Sequence, residues 1–238
     1  SAVKKLAPKD AIYPQDIGCY TLGNAKPLEM ADVLLCMGSN AGMACGFAVA
    51  TDQKIISFMG DSTFFHSGIP PIIDAVHHQH NVVITILDNR TTAMTGHQPH
   101  PGTDTDGMGR KATKINVEDV ARGLGVTDIH VVDPNDIKAT SEAFAKALAF
   151  KGPSVVVSKS PCILLELARK RKAQEAIGLY AIDQSICKRC KTCIGRFGCP
   201  ALYFAEDGSV HIDPTQCNGC GNCVQVCPFK AIHPEAKA

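Results

Sequence analysis

Eight of the twelve cysteines fall between Cys187 and Cys227, in two runs of nearly the same form. The first reads Cys187-x2-Cys190-x2-Cys193-x5-Cys199-Pro200 and the second Cys217-x2-Cys220-x2-Cys223-x3-Cys227-Pro228. Thiolates are soft donors suited to iron–sulfur chemistry, and two cubes of iron and sulfide require eight of them. Zinc is the alternative occupant. Zinc sites favour paired C-x2-C knuckles with four ligands each, whereas here three cysteines in a row precede a Cys-Pro, twice. Disulfides fit less well, because the spacing is that of metal ligands. Cys19, Cys36, Cys45 and Cys162 lack such spacing, so we expect no third cluster and read them as small buried hydrophobes.

The two runs are halves of one repeat. Ile182-Asp183 and three cysteines return at Ile212-Asp213 and three cysteines, about 30 residues later. Residues 180–234 resemble a bacterial two-cluster ferredoxin domain. In such domains the Cys of the Cys-Pro ligates the other cluster. Cys187, Cys190, Cys193 and Cys227 are therefore assigned to one [4Fe-4S] cluster, and Cys217, Cys220, Cys223 and Cys199 to the other. The five residues before Cys199, against the usual three, leave a [3Fe-4S] form open at one site.

A second constellation pairs Gly60-Asp61-Ser62 with Asp88-Asn89, whose Asp lies 27 residues after Asp61. Mg²⁺ wants hard oxygen ligands in an octahedron and completes it with phosphate oxygens and water, so Asp61 and the Asn89 amide could hold it on a diphosphate. Gly60 permits close approach of the backbone to a phosphate. Alone, Gly-Asp-Ser is more often an ordinary loop turn. With the spaced Asn it resembles the signature of thiamine-diphosphate enzymes, which runs Gly-Asp-Gly or Gly-Asp-Ser and closes at an Asn, here Asn89. That resemblance implies thiamine diphosphate and Mg²⁺ as cofactors, Asp61, Asn89 and the Thr91 backbone carbonyl as metal ligands, and Gly60 and Ser62 beside the diphosphate.

Residues 89–102 (NRTTAMTGHQPHPG), with Gly18-Cys19-Tyr20 and Met37-Gly38-Ser39-Asn40, are similar to the thiamine domain of 2-oxoacid:ferredoxin oxidoreductases. The likeness spans roughly residues 14–234 and includes the order of thiamine domain, then ferredoxin domain. It adds Cys19, Gly38, Ser39 and Asn40 to the cofactor-binding residues. It implies oxidative decarboxylation of a 2-oxoacid with coenzyme A as co-substrate and an external ferredoxin as electron acceptor. Met94 stands where members that take pyruvate often place a polar residue, and an adaptable apolar side chain suits an aryl substrate. Thr95 and His97 would flank it. The plainer reading makes Met94 a gap-filler and His97 and His100 decoration of a polar loop. The family also uses a pyrimidine-binding domain, and the sequence shows no second α/β domain of that size. The resemblance therefore implies the rest of a longer subunit or another chain, together with a smaller beta subunit. Two other functions suit the same residues: an electron carrier whose α/β domain is only a scaffold, and a non-oxidative thiamine lyase with clusters for regulation or stability.

These residues need elements to position them. Residues 54–58 and 82–87 are β-prone runs, the second apolar on both faces as in a buried parallel strand, and each ends in a polar loop. Residues 70–80 read as the helix between them, with Pro70-Pro71 in its first turn and Ile72, Ile73 and Val76 as its apolar face. A Gly-, His- and Pro-rich loop (95–109) leads to a helix at 117–124, a strand at 129–132, a helix at 135–150 and a strand at 154–158. Such alternation predicts an α/β, doubly wound and mostly parallel sheet, whose ligands sit beyond the carboxyl ends of the strands. Residues 1–162 form this thiamine-diphosphate domain, 163–179 a charged linker helix, and 180–238 a small α+β ferredoxin-like domain.

Composition excludes several classes. Lys+Arg and Asp+Glu nearly cancel to a net +1, giving no electrostatic case for nucleic acid or an anionic membrane. No run of about 18 apolar residues is present, and Ser1–Asp10 lack the order of a secretory signal. A cytoplasmic protein is expected.

Overall fold

The computed structural model describes residues 1–235 and falls into two compact units. One comprises Ala2–Asn24 and Met30–Cys162; the other runs from Ile163 onward, with Ser1 and Ala25–Glu29.

The first unit is built on a six-stranded sheet in the order β2-β1-β3-β4-β6-β5, with every pairing parallel. Its strands are β1 (Pro14–Gln15), β2 (Val33–Leu34), β3 (Ile55–Gly60), β4 (Val82–Asp88), β5 (Asp128–Val132) and β6 (Ser154–Lys159). The three longest strands are almost wholly buried, as a sheet covered on both faces requires, and β4 and β6 are rich in β-branched residues. Helices α1 (Ala2–Leu6), α2 (Ser39–Ala50), α3 (Asp61–Thr63), α4 (Ile69–His77), α5 (Val117–Gly123) and α6 (Ile137–Ala149) complete the unit. Ala41, Ala44, Met59, Phe64, Ile72, Ile84, Val117 and Val155 belong to one continuous core. The α/β class expected from the alternation is what the chain adopts.

Several local expectations change. The chain turns helical at Asp61, directly after β3, and reaches α4 through a π-turn at Phe64–Gly68. The Pro pair does sit in the first turn of α4. Ile73 is 48% exposed, and the face that α4 buries is Ile72 and Ala75. The strands β1 and β2, two residues each, carry no periodic signal, and α2 has polar and small residues where a helical stripe would be. Of the four scattered cysteines only Cys45 and Cys162 are buried, whereas Cys19 and Cys36 are exposed.

The second unit opens with α7 (Ile163–Lys172), which stops short of the expected linker end. It continues as β7 (Tyr180–Ile182), α8 (Thr192–Gly195), β8 (Leu202–Phe204), β9 (Val210–Ile212), α9 (Asn222–Val226) and β10 (Ile232–Pro234). β7 pairs antiparallel with β10, and β8 with β9. Leu202, Val210, Cys223 and Ile232 make a small core to which Cys187, Cys193, Cys199 and Cys227 also pack. No helix among the described residues is long and apolar enough to cross a membrane.

Candidate functional site

In the sheet order the chain runs outward from β1 to β2 on one side and from β3 onward on the other, so the switch point lies between β1 and β3. A crevice for ligands opens at the carboxyl ends of such strands. There the structure collects Asp16, Gly18 and Tyr20 after β1, Gly38 ahead of α2, Gly60 and Asp61 after β3, and Asn89 to Thr91 after β4.

Asp61 is buried. Its Oδ1 accepts from the Ser62 N–H at 2.8 Å and its Oδ2 from the Arg90 N–H at 2.7 Å. The carboxylate thereby ties the β3 loop to the β4 loop. The Asn89 Oδ1 accepts from the Thr91 N–H at 3.0 Å, and the Thr92 hydroxyl donates to the Ser62 Oγ at 2.9 Å. The Thr91 carbonyl receives no hydrogen bond among the described residues, so it keeps both lone pairs. His100 reaches back along the following loop. Its Nε2 stands 3.1 Å from the Asp61 Oδ2, outside hydrogen-bonding geometry, and its side chain is 4% exposed. It is a buried neighbour of the site rather than a loop decoration. Asp88, equally buried, has its carboxyl pushed up by burial and then by the Asp61 charge, with Lys159 pulling the other way at 3.8 Å. The Lys159 ammonium is shared with Glu118, 2.7 Å away.

A second network holds the β1 side. The Asp16 Oδ1 accepts from the Gly38 N–H at 2.7 Å, and its Oδ2 accepts from the Tyr20 hydroxyl. That hydroxyl in turn accepts from the Gly60 N–H at 2.8 Å. Asp16 is fully buried, and burial together with its charge raises the Tyr20 phenol, keeping it a donor. The three short motifs around Tyr20, Gly38 and Gly60 are thus one hydrogen-bonded unit. Asp88 is legible in the sequence through the Asp88-Asn89 motif at the end of β4, whereas Asp16 is not, because β1 is too short to declare itself.

The other expected cofactor residues divide. Gly38 has φ +88°, and a Cβ there would lie 1.9 Å from the Ser67 Oγ, so only glycine fits. Asn40 is fully buried but turns its amide away to β3, donating to the Ser57 Oγ at 2.6 Å and the Phe58 carbonyl at 2.9 Å. Ser39 spends its hydroxyl on the Cys36 carbonyl at 2.8 Å. No side chain caps α2, which leaves N–H groups of its first turn to a ligand. Cys19 opens an exposed 3-10 turn, Cys19–Asn24. Met94 and Thr95 lie in the exposed turn Ala93–Thr95, with Met94 54% exposed. His97 turns instead toward Cys162, its Nε2 3.7 Å from the sulfur. An uncapped helix start, an unpaired carbonyl and a buried carboxylate beside an amide oxygen suit a diphosphate with a hard divalent cation.

In the second unit one cavity is lined by Cys187, Cys190, Cys193 and Cys227, and another by Cys199, Cys217, Cys220 and Cys223. Each mixes three cysteines of one half with the Cys-Pro cysteine of the other. The repeat extends to hydrogen bonds. The Asp183 Oδ1 accepts from the Ser185 N–H at 2.8 Å, and the Asp213 Oδ1 from the Thr215 N–H at 2.8 Å. Both turns carry their C-x2-C-x2-C run through left-handed residues, Arg189 and Lys191 in the first half and Gly219 and Gly221 in the second. Burial, then the neighbouring thiolates, push the Cys223 thiol up to about 11. A cationic cluster removes that opposition, so the donor set fits iron–sulfur groups.

A parallel α/β domain with this carboxyl-edge site, carried together with paired four-cysteine cavities, defines a cofactor-binding domain coupled to a ferredoxin-type module. The chain belongs to the thiamine pyrophosphate enzymes, matching their C-terminal TPP binding domain over residues 16–158. Residues 210–233 match the 4Fe-4S binding domain. Thiamine diphosphate and iron–sulfur groups are accordingly its cofactors. Among curated proteins it is 50% identical over 229 residues to the indolepyruvate oxidoreductase subunit IorA of Methanothermobacter marburgensis, covering 96% of this chain and 36% of that one. To the protein of the same name from Thermococcus kodakarensis it is 43% identical over 250 residues, covering 98% and 38%. The chain thus spans a little over a third of the length of these relatives. Among solved structures, the 2-oxoglutarate:ferredoxin oxidoreductase from Magnetococcus marinus, with 2-oxoglutarate, coenzyme A and succinyl-CoA bound, shares the fold. The TM-score is 0.58 at 19% identity, over 64% of this chain and 54% of that one.

Proposed function

We propose that this chain is the thiamine-binding and electron-carrying part of a coenzyme-A-dependent 2-oxoacid:ferredoxin oxidoreductase that takes an aryl 2-oxoacid, indolepyruvate being the substrate in its relatives' names. One observation carries the reading. A single chain joins the Asp61–Asn89 site to two cavities of four cysteines. A plain decarboxylase has no use for the second of these.

Thiamine diphosphate supplies an electron sink that lets a 2-oxoacid lose CO₂. The work of this chain is to hold and shield that group. Asp61, Asn89 and the Thr91 carbonyl hold Mg²⁺ against the diphosphate, and the first turn of α2 offers N–H groups to the same anion. Tyr20 and Asp16 fix the backbone of Gly38 and Gly60, and buried His100 keeps water from the Asp61 carboxylate. Met94, Thr95 and His97 border the substrate position, and the exposure of Met94 calls for cover from a pyrimidine-binding domain outside this chain. Cys187, Cys190, Cys193 and Cys227 hold one [4Fe-4S] cluster and Cys217, Cys220, Cys223 and Cys199 the other. Electrons leave singly toward an external ferredoxin, and coenzyme A takes the acyl group. A smaller beta subunit completes the enzyme, which works in the cytoplasm.

The test is an anaerobic assay of the complete complex with indolepyruvate and an electron-accepting dye. Dye reduction that requires coenzyme A is expected; no rate with any 2-oxoacid rejects the proposal. Calorimetry with thiamine diphosphate and Mg²⁺ on Asp61→Ala separates the scaffold reading, which predicts no difference from the parent chain. Aldehyde as sole product, with clusters unchanged in redox state during turnover, would favour a non-oxidative lyase.

A further inference from the structure

Where α2 packs against α4, one residue of α2 and two of the α4 segment bring a sulfur, an oxygen and a nitrogen together. The Cys45 Sγ, a carboxylate oxygen of Asp74 and a ring nitrogen of His80 all lie within 4.8 Å of one another. Cys45 comes from α2 and is buried, Asp74 comes from α4, and His80 follows the end of α4. From this geometry we propose a structural site for one zinc-type divalent ion, held by the Cys45 thiolate, Asp74 and His80, that clamps α2 to α4.

The arrangement is built rather than incidental. Helix α4 closes with the His80 N–H on the Ala75 carbonyl at 3.0 Å and the Gln79 N–H on the Val76 carbonyl at 3.3 Å. This closure needs a left-handed residue between them, and glycine is the usual occupant. Here Gln79 takes it, with φ +54°. The turn swings His80 back over the helix, where its Nε2 lies 3.6 Å from the Asp74 Oδ2 with the side chain only 12% exposed. His78 stacks on the His80 ring at 5.4 Å and places its own Nε2 3.5 Å from the other Asp74 oxygen. Thus the carboxylate is gripped from both sides. Without metal the Cys45 sulfur lies 3.5 Å from the Pro71 carbonyl and beside the Asp74 carboxylate.

One thiolate, one imidazole and one carboxylate make the mixed sulfur, nitrogen and oxygen set that suits a borderline-soft ion, and zinc takes them in a tetrahedron. Mg²⁺ and Ca²⁺ prefer oxygen alone. On binding, the Cys45 S–H bond breaks, its proton passes to solvent and the sulfur lone pair goes to the metal, so no electron is transferred. Asp74 is half exposed, which leaves the fourth position to water. The site shares no residue with the Asp61 site or with the ferredoxin cysteines, and its presence does not depend on the proposed reaction.

The experiment uses the full chain, reconstituted anaerobically with iron and sulfide, given Zn²⁺ and desalted. Metal analysis should return about one zinc per chain, and the zinc absorption edge should fit one sulfur at about 2.3 Å with the remaining ligands nitrogen or oxygen. Cys45→Ser and His80→Gln should each weaken retention at least about tenfold, the scale seen even for outer-shell partners, with iron content unchanged. Asp74→Asn, at a half-exposed position, serves should Cys45→Ser fold poorly. No retained zinc, an all-sulfur shell that places zinc among the ferredoxin cysteines, or undiminished retention in His80→Gln and Asp74→Asn overturns the proposal.

Discussion

Tyr20 shows how much one hydroxyl can carry. It donates to the buried Asp16 and accepts from the Gly60 N–H, so it joins the β1 loop to the β3 loop at the cofactor edge. Tyr20→Phe keeps the ring but leaves an N–H without a partner and a buried carboxylate with one donor fewer. A cost of about 1–3 kcal/mol is expected for such an orphaned group. Urea unfolding of the first unit should show it as a lower midpoint with an unchanged slope. Affinity for thiamine diphosphate should fall as well, because the Gly60 backbone is no longer fixed. A Tyr20→Phe chain with the parent's midpoint and affinity would remove Tyr20 from this account.

Among elements, two turn types set the geometry. The start of α2 depends on Gly38, whose left-handed backbone costs any other residue about 1–2 kcal/mol, before the overlap of a new Cβ with Ser67 is counted. Gly38→Ala should therefore lower the thermal midpoint of the first unit more than Gly42→Ala, a position with open space around it. In the second unit, Asp183 and Asp213 accept from Ser185 and Thr215, and these bonds hold both carboxyls below the usual range. A carboxyl lowered in the folded state gives stability that is present above its unfolded value and is lost as pH falls through the folded one. Cluster absorbance should thus decay on acidification below the ordinary aspartate range. Asp213→Asn should flatten that dependence, as followed by visible spectra from neutral pH downward. Gly219→Ala, with φ +73° and a Cβ that would lie 2.4 Å from the Gly178 carbonyl oxygen, should lose one cluster more readily than the other.

For the whole molecule the decisive fact is that this chain covers 36–38% of the relatives it matches. His100 backs Asp61, a proposed metal ligand, while Met94, proposed to border the substrate, is exposed. An enzyme of the proposed kind should then be silent in this form and yet be fully redox-competent. Dithionite should bleach the clusters of the reconstituted chain, whereas indolepyruvate with coenzyme A should leave them oxidised until the pyrimidine-binding domain and the smaller subunit are supplied. Bleaching by the 2-oxoacid with this chain alone would show that nothing further is needed.

The sequence by itself conveys whatever its residues state locally. The cysteine spacing, the Gly-Asp-Ser and Asp-Asn pair at the ends of apolar runs, and the helix–strand alternation from Ile55 to Lys159 follow from donor chemistry and periodicity. Their signals lie within a few residues of one another or repeat. Tertiary structure alone decided the rest. β1 and β2 are held by pairing with longer neighbours rather than by propensity, so the switch point beside β1, and with it Asp16, had no local mark. His100 becomes a buried neighbour of Asp61 because a long loop folds back, and Asn40 turns to β3 because α2 packs there. Cys45 meets Asp74 and His80 for the same reason: α2 packed beside α4 brings a thiol from one segment to a carboxylate and an imidazole of another, and no spacing along the chain encodes that.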